Sequence, residues 1–356
     1  MERIVLLSEI IKMLEKEFPL SLQEKWDNSG LILGDKNTHI QKAQISLDIT
    51  ENVIDRAIER GVDLIISHHP MIFSSIKQIN DSTILGKKIL KLIKNGISVY
   101  ALHTNLDDAK QGLNQYIAEK LMGENIKIMD EKTYSVYKMS VFIPEVAFDE
   151  VLKVVNKSKE LDFLGYKKVS YATESIERIE KDEEIKETLS YKIEFIGEKE
   201  NLYILLNKIR AKHPYKEPAY EIIALENNYK TGTGLGRIFT LEKETKLDEY
   251  VEFIKEKLNL DYVKLVRSND KLIKKVAIVN GSGSEFWEKA HRLGADLFIS
   301  GDIKYHTALD AFEKSLNLID IGHYESEHFF NEIIIKKLSD ILSLEVYNEK
   351  RILEIV

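Results

Sequence analysis

Nine histidines are spread along this chain of 356 residues, and five of them fall in three short polar clusters, each just after a predicted apolar strand. The first cluster is Ser67-His68-His69-Pro70, behind Val62-Asp63-Leu64-Ile65-Ile66. Adjacent side chains on extended backbone diverge, so neighbouring imidazoles suit two neighbouring ions better than one, and Pro70 biases His69 toward extended geometry. The plain structural alternative is a pair of polar loop residues, one of them capping a backbone group. The second cluster is His103-Thr104-Asn105-Leu106-Asp107-Asp108, behind Leu102. A carboxylate beside imidazoles suits a hard or borderline divalent ion. His103 can ligate, hydrogen-bond a ligand or bridge backbone groups, and taken alone it fits the structural role best; Asp107 or Asp108 can equally cap a helix. The third cluster is Asp320-Ile321-Gly322-His323-Tyr324-Glu325-Ser326-Glu327-His328. If a helix begins there, His323 and Glu327 share a face with Cβ atoms about 5–6 Å apart, the geometry of a chelating pair. Glu325 then points elsewhere and His328 reads as a surface residue. Upstream, Ser300-Gly301-Asp302-Ile303-Lys304-Tyr305-His306 is a fourth polar turn, in which Asp302 and His306, like His103, are candidates to orient or assist the ligands.

Taken together, His68, His69, Asp107, His323 and Glu327 offer three imidazoles and two carboxylates. The chain has no cysteine, which removes disulfides, thiolate ligands, iron–sulfur clusters and cysteine nucleophiles. Five nitrogen and oxygen donors exceed a closed tetrahedral site and fit two divalent ions with positions open to water or substrate. Ions about 3.5–4 Å apart bring the pKa of a bound water toward neutrality, which is hydrolytic chemistry. Zinc is the first expectation; manganese and iron accept the same donors.

These residues have to be positioned by a repeating pattern of strands and helices. From residue 42 to about 122, Ala43–Leu47, Val62–Ser67 and Ser98–Leu102 read as strands, with helices at Asn52–Arg60, Ser82–Asn95 and Leu113–Leu121. The same grammar returns with strands Lys275–Val279, Leu297–Ser300 and Asn317–Ile321, helices Glu285–Leu293 and Thr307–Ser315, and a long helix from about Glu325 to Leu342. The fold class is therefore α/β, with two related α/β lobes forming one core. Between them, strand Tyr137–Ile143, helix Phe148–Ser158, the charge-rich stretch Glu177–Glu187, strand Leu189–Phe195, helix Asn201–Lys212 and strand Ala219–Glu226 suggest an inserted ferredoxin-like α+β domain. The division is 1–128, 129–240 and 241–356. Gly232, Gly234 and Gly236 do not open a predicted helix after a strand, so they read as a flexible return from the insert rather than a phosphate-binding fingerprint.

Composition bounds the partners. With 51 basic and 59 acidic residues the net charge is −8, the wrong sign for a protein that wraps duplex nucleic acid. Met1 to Phe18 reads as an amphipathic helix unlike a signal peptide, and no run of about 18 apolar residues occurs, so a cytoplasmic protein without membrane spans is expected.

Five motifs in order resemble the NIF-three-like family, also labelled GTP cyclohydrolase I type 2 homologues. They are Trp26-Asp27-Asn28-Ser29-Gly30-Leu31, Ser67-His68-His69-Pro70, His103-Thr104-Asn105-Leu106-Asp107, Ser300-Gly301-Asp302-Ile303-Lys304-Tyr305-His306 and Asp320-Ile321-Gly322-His323-Tyr324-Glu325-Ser326-Glu327. The resemblance implies a dinuclear metal site between two α/β lobes, with ligands at the same five residues. It also implies an insert similar to PII and CutA proteins, here Tyr137 to about Glu226, with His213-Pro214-Tyr215-Lys216-Glu217-Pro218-Ala219-Tyr220 as its most distinctive stretch, and a homohexamer. The implied activity is hydrolysis of a small, possibly nucleotide, substrate: opening a purine imidazole ring and releasing C8 as formate needs activated water. No P-loop signature G-x-x-x-x-G-K-[ST] is present to hold a triphosphate. The other reading is a metal-binding regulatory or assembly protein, with the insert as ligand sensor or interaction module.

Overall fold

In the computed structural model, which describes residues 4–161, 169–181 and 184–348, the apolar runs beside the histidine clusters form parallel strands. Lys42–Ser46, Leu64–Ser67 and Ser98–Ala101 pair in parallel in that order, with Ser343–Val346 parallel on the outer side of Lys42–Ser46 and Gly30–Leu33 antiparallel at the other edge. Leu64, Ile65 and Ile66 have no solvent exposure, as expected where helices cover both faces of a parallel sheet. Helix Glu51–Glu59 starts where the Thr50 hydroxyl accepts from the Val53 amide, and Thr83 caps helix Ile84–Lys94 through Gly86 in the same way.

A second parallel set, Ile273–Ile278, Leu297–Ser300 and Asn317–Asp320, repeats the arrangement, flanked by antiparallel Lys264–Val266 on one side and by Arg237–Thr245 on the other. Both sets belong to one compact unit, Met1–Lys132 with Gly232–Val356. One apolar core contains inward residues of both, among them Ile45, Leu64 and Ile66 from the first and Ile278, Leu297, Ile299 and Ile319 from the second. The histidine clusters and their counterparts all follow the C-terminal ends of these strands, where open α/β sheets bind ligands.

The other unit, Thr133–Thr231, has the order strand, helix, strand, strand, helix, strand. Helices Glu145–Lys157 and Lys199–Arg210 bury Val151, Val155, Leu202 and Leu206 in a core of its own with Met139, Val141 and Phe195. The described residues of its charge-rich stretch lie on Ser170–Lys181 and Glu184–Gly197, which pair as antiparallel strands.

Three expectations change. Gly232, Gly234 and Gly236 lie inside one long strand, Tyr220–Thr245, instead of a flexible return. All three have positive φ; a Cβ on Gly234 would stand 2.1 Å from the Asp130 carbonyl oxygen and one on Gly236 2.8 Å from that of Ile278, so backbone approach demands glycine at these two, while at Gly232 the φ alone favours it. The expected long helix from Glu325 is two helices, His323–Glu327 and Phe330–Leu338. The first buries Ser326 and Glu327 and the second buries Phe330, Ile333, Ile334 and Leu338. His328 at the break is half-buried instead of a surface residue, with its ring 4.0 Å from that of Phe329.

Candidate metal centre

Each of four imidazoles is held by its Nδ1. His68 Nδ1 lies 2.7 Å from the Leu102 carbonyl oxygen, His69 Nδ1 2.8 Å from Asp48 Oδ1, His103 Nδ1 2.8 Å from Asp27 Oδ1 and His323 Nδ1 2.7 Å from Asp302 Oδ2. A carbonyl or carboxylate oxygen only accepts, so Nδ1 is the donor in every case and Nε2 is the nitrogen left for a ligand.

The Nε2 atoms of three rings turn to one carboxylate. His69 Nε2 and His323 Nε2 each lie 3.0 Å from Glu327 Oε2, and His68 Nε2 lies 3.6 Å from Glu327 Oε1 and 3.8 Å from Asp107 Oδ1. The contacts to Glu327 Oε2 are short but lack hydrogen-bond angles, and both His68 Nε2 and Glu327 Oε2 are buried without a hydrogen-bond partner. Such atoms are costly unless something else satisfies them. Donor atoms of His69, His323 and Glu327 lie within 4.8 Å of one another, as do those of His68, His69 and His103. This donor set fits divalent cations.

The neighbouring residues set the carboxylates. Asn280 Nδ2 donates to Asp107 Oδ1 at 2.8 Å and to Glu327 Oε1 at 3.4 Å. Gly281, with φ +60°, lies against Glu327 so closely that a Cβ would come 2.2 Å from Oε1. Its amide donates to Ser326 Oγ at 2.8 Å, which in turn donates to the His323 carbonyl, so the loop after strand Ile273–Ile278 holds the helix that carries both His323 and Glu327. Asp27 likewise accepts from the Thr104 amide at 3.1 Å, from Thr104 Oγ1 at 2.5 Å and from Ser29 Oγ at 2.9 Å, tying the Trp26–Ser29 segment to the His103–Asp107 turn.

Electrostatics follow from burial and crowding. Burial alone would lower the His69 pKa, but the Asp48 and Glu327 carboxylates push it up to about 10. Contact with Glu327 outweighs burial at His323 and raises it to about 9, and His68 is also raised, its burial overcome by Asp107 and Glu327. Desolvation raises Asp107, whereas Glu327, although buried, is held well below its ordinary value by the three imidazoles. The cluster on its own thus favours protonated His69 and His323 around an ionised glutamate, with His68 shifted in the same direction.

The structure thus brings His68, His69, Asp107, His323 and Glu327 into one cluster, with His103 beside it and Asp302 behind His323. His306 does not join them: it is exposed on helix Tyr305–Glu313 against the Tyr305 ring. Sequence reading did not single out Asp48, Asn280 or Gly281. All three lie within three residues of a strand end, the same grammar as the histidine clusters, but Asn280 and Gly281 carry no ionisable group to draw notice.

Fold and site define an α/β protein with a buried histidine–carboxylate cluster able to hold metal. Residues 5–352 match the Duf34/NIF3 (NGG1p interacting factor 3) family, and the chain belongs to it. It is 37% identical over 339 residues to a GTP cyclohydrolase 1 type 2 homolog of Staphylococcus epidermidis, covering 92% of this chain and 91% of that one. It is 33% identical over 344 residues to the Bacillus subtilis protein of the same description, covering 94% and 92%. Among solved structures, a Bacillus cereus protein related to NIF3 superposes with TM-score 0.77 at 30% identity, covering 99% of each chain. Among the described residues no helix is long and apolar enough to cross a membrane.

Proposed function

We propose that His68, His69, Asp107, His323 and Glu327 hold two divalent metal ions, zinc ahead of manganese or iron, and that the protein is a metal-dependent hydrolase of the GTP cyclohydrolase 1 type 2 kind. The observation that carries this reading is the convergence of three Nδ1-anchored imidazoles on a single buried carboxylate with no other hydrogen-bond partner for His68 Nε2. Bound divalent ions supply Lewis acidity and make a water acidic near neutral pH. This chain's residues do the rest. Leu102, Asp48 and Asp302 fix which imidazole nitrogen faces the site, Asn280 orients Asp107 and Glu327, and Gly281 leaves the Glu327 carboxylate its place. Within this reading the Thr133–Thr231 unit is a ferredoxin-like insert, supported by its element order, and the assembly is a homohexamer.

Metal analysis of the full chain beside His68→Ala tests the site: about two metals per wild-type chain and fewer in the variant are expected, and equal content in both sinks the ligand assignment. Formate release from GTP and a panel of nucleotides and nucleosides, with each metal restored, tests the activity. A folded, loaded protein with no turnover of any of them rules the hydrolase out.

The protonation of the site adds a pH dependence. Since metal must displace Nε2 protons from His69 and His323, whose pKa values are raised to about 10 and about 9, loading at pH 7 releases protons and retention weakens steeply as pH falls. Calorimetry in two buffers of different ionisation enthalpy measures this, with at least one proton expected per ion. No release would mean that the imidazoles are not the ligands.

A further inference from the structure

The cleft that opens onto the candidate centre has a volume of about 570 Å³, within the ordinary range for a small-molecule site. Its wall combines two features that bear on what can enter. The first is aromatic. Trp26 is 62% exposed and Phe73 51% exposed, a costly arrangement for large rings unless something covers them. Both line this cleft, and both stand edge-on to His103, with ring centroids 5.8 Å away and interplanar angles of 76° and 84°. Asp27 fixes the His103 ring through Nδ1, so the three rings form an aromatic mouth next to His68 and His69.

The second feature is charge. Six carboxylates, Glu24, Asp107, Asp108, Asp130, Glu285 and Glu327, line the cleft, and no lysine or arginine is among the described residues that do. Asp107 and Glu327 belong to the candidate centre, and two lysines are taken up by three of the others, Lys132 bridging Glu24 and Asp108 and Lys289 pairing with Asp130, so no lysine ammonium among these pairs is spare for a phosphate chain. A triphosphate brings about four negative charges, and recognition of such groups elsewhere rests on Lys, Arg or a glycine-rich amide cradle. Among the described residues no lysine or arginine faces this cleft, and in the one glycine-containing loop that does, Asn280-Gly281-Ser282-Gly283, the Gly281 amide is already given to Ser326 Oγ and Glu285 stands beside Gly283.

We infer that the substrate is an uncharged planar heterocycle, a free base or nucleoside rather than a nucleoside triphosphate, stacked between Trp26 and Phe73. The inference rests on the hydrolase reading for what happens to the bound molecule, but the binding it describes stands independently of turnover. It narrows the substrate class to molecules that offer a π-face to the mouth and no polyanion to a cleft lined by no lysine or arginine among its described residues.

Trp26 supplies its own reporter, because the chain has only two tryptophans and the other, Trp287, is buried. Tryptophan fluorescence of the full zinc-loaded protein is titrated with guanosine, its monophosphate and GTP, with metal content measured in the same samples so that stripping by GTP is seen. Guanosine is expected to quench the emission and to bind at least tenfold more tightly than GTP. Trp26→Ala and Phe73→Ala each weaken guanosine binding, followed by calorimetry, by roughly tenfold, the loss of one stacking partner, with metal content unchanged. Trp26→Phe restores most of the affinity. Tighter binding of GTP than of guanosine, absence of guanosine binding, or unchanged affinity in Trp26→Ala overturns the proposal. Guanosine binding through Trp26 without formate from any substrate leaves the proposal standing and removes the hydrolase reading instead.

Discussion

Replacing Glu327 by alanine destabilises the metal-free protein by about 3–5 kcal/mol near pH 6, the cost of removing one partner from a buried charge cluster. The sign and pH window follow from the shifts at the site. Glu327 is held well below its ordinary value of 4.5, so its contribution to stability is present above that pH and is lost as pH falls through the lower folded value. His69 and His323 are raised from 6.5 to about 10 and about 9, so theirs is complete below 6.5 and is lost as pH rises through 9 to 10. Both are the same interaction seen from its two sides, and it is fully present between about pH 4.5 and 6.5. The difference between wild type and Glu327→Ala in urea unfolding is therefore expected to be largest in that window and to shrink toward pH 10. Glu327→Gln keeps the volume and removes the charge, so a variant as stable as wild type at pH 6 would refute the electrostatic account. The same substitution is expected to empty both proposed ion sites in metal analysis, whereas His323→Ala leaves Asp107, Glu327 and His68 to retain one ion.

The second large effect lies away from the centre, at Arg237. Its side chain is 1% exposed, and a guanidinium so enclosed must satisfy its donors internally. Nε donates to Gln115 Oε1 at 2.8 Å, Nη1 to the Gly234 and Gly236 carbonyls at 3.0 and 2.8 Å, and Nη2 to the Ala109 and Lys110 carbonyls at 2.8 and 3.1 Å. Burial lowers its pKa to about 10, with Asp108 and Glu119 opposing. One side chain thus ties the segment that follows Asp107 and Asp108 to the glycine-rich strand. Arg237→Ala leaves four carbonyls with a lost donor and a cavity, for an expected loss of about 3–5 kcal/mol in chemical unfolding. Arg237→Lys rescues little, because an ammonium cannot span both segments. A loss below about 1 kcal/mol for the alanine variant would show that the backbone groups find other partners.

Arg237 also shows where sequence reading stops. Thr-Gly-Thr-Gly-Leu-Gly-Arg is a loop by composition, and glycine with positive φ inside a strand is legible only once the Asp130 backbone is seen pressing on Gly234. The half-buried His328 and the break in the expected C-terminal helix are of the same kind. Local periodicity favours one helix, but Glu327 and Phe330 are both brought against His68, one at its Nε2 and the other at its ring, and the helix breaks at His328 and Phe329 between them.

What the sequence by itself determined is the chemistry and its local frame. Short apolar runs rich in β-branched residues such as Leu64-Ile65-Ile66, bounded by polar turns, read as buried strands, polar clusters at their ends mark the ligand edge of an α/β sheet, and the absence of cysteine leaves nitrogen and oxygen as donors. Spacing along a helix was enough to pair His323 with Glu327. Only the tertiary structure decided that His68 and Glu327, 259 positions apart in sequence, meet within 3.6 Å, and that Asp48, Asp27 and Asp302 lock three of the rings. The reason is physical: a run of residues encodes its own periodicity and chain direction, while the approach of two sheets over one shared core is set by side-chain packing that no single segment contains.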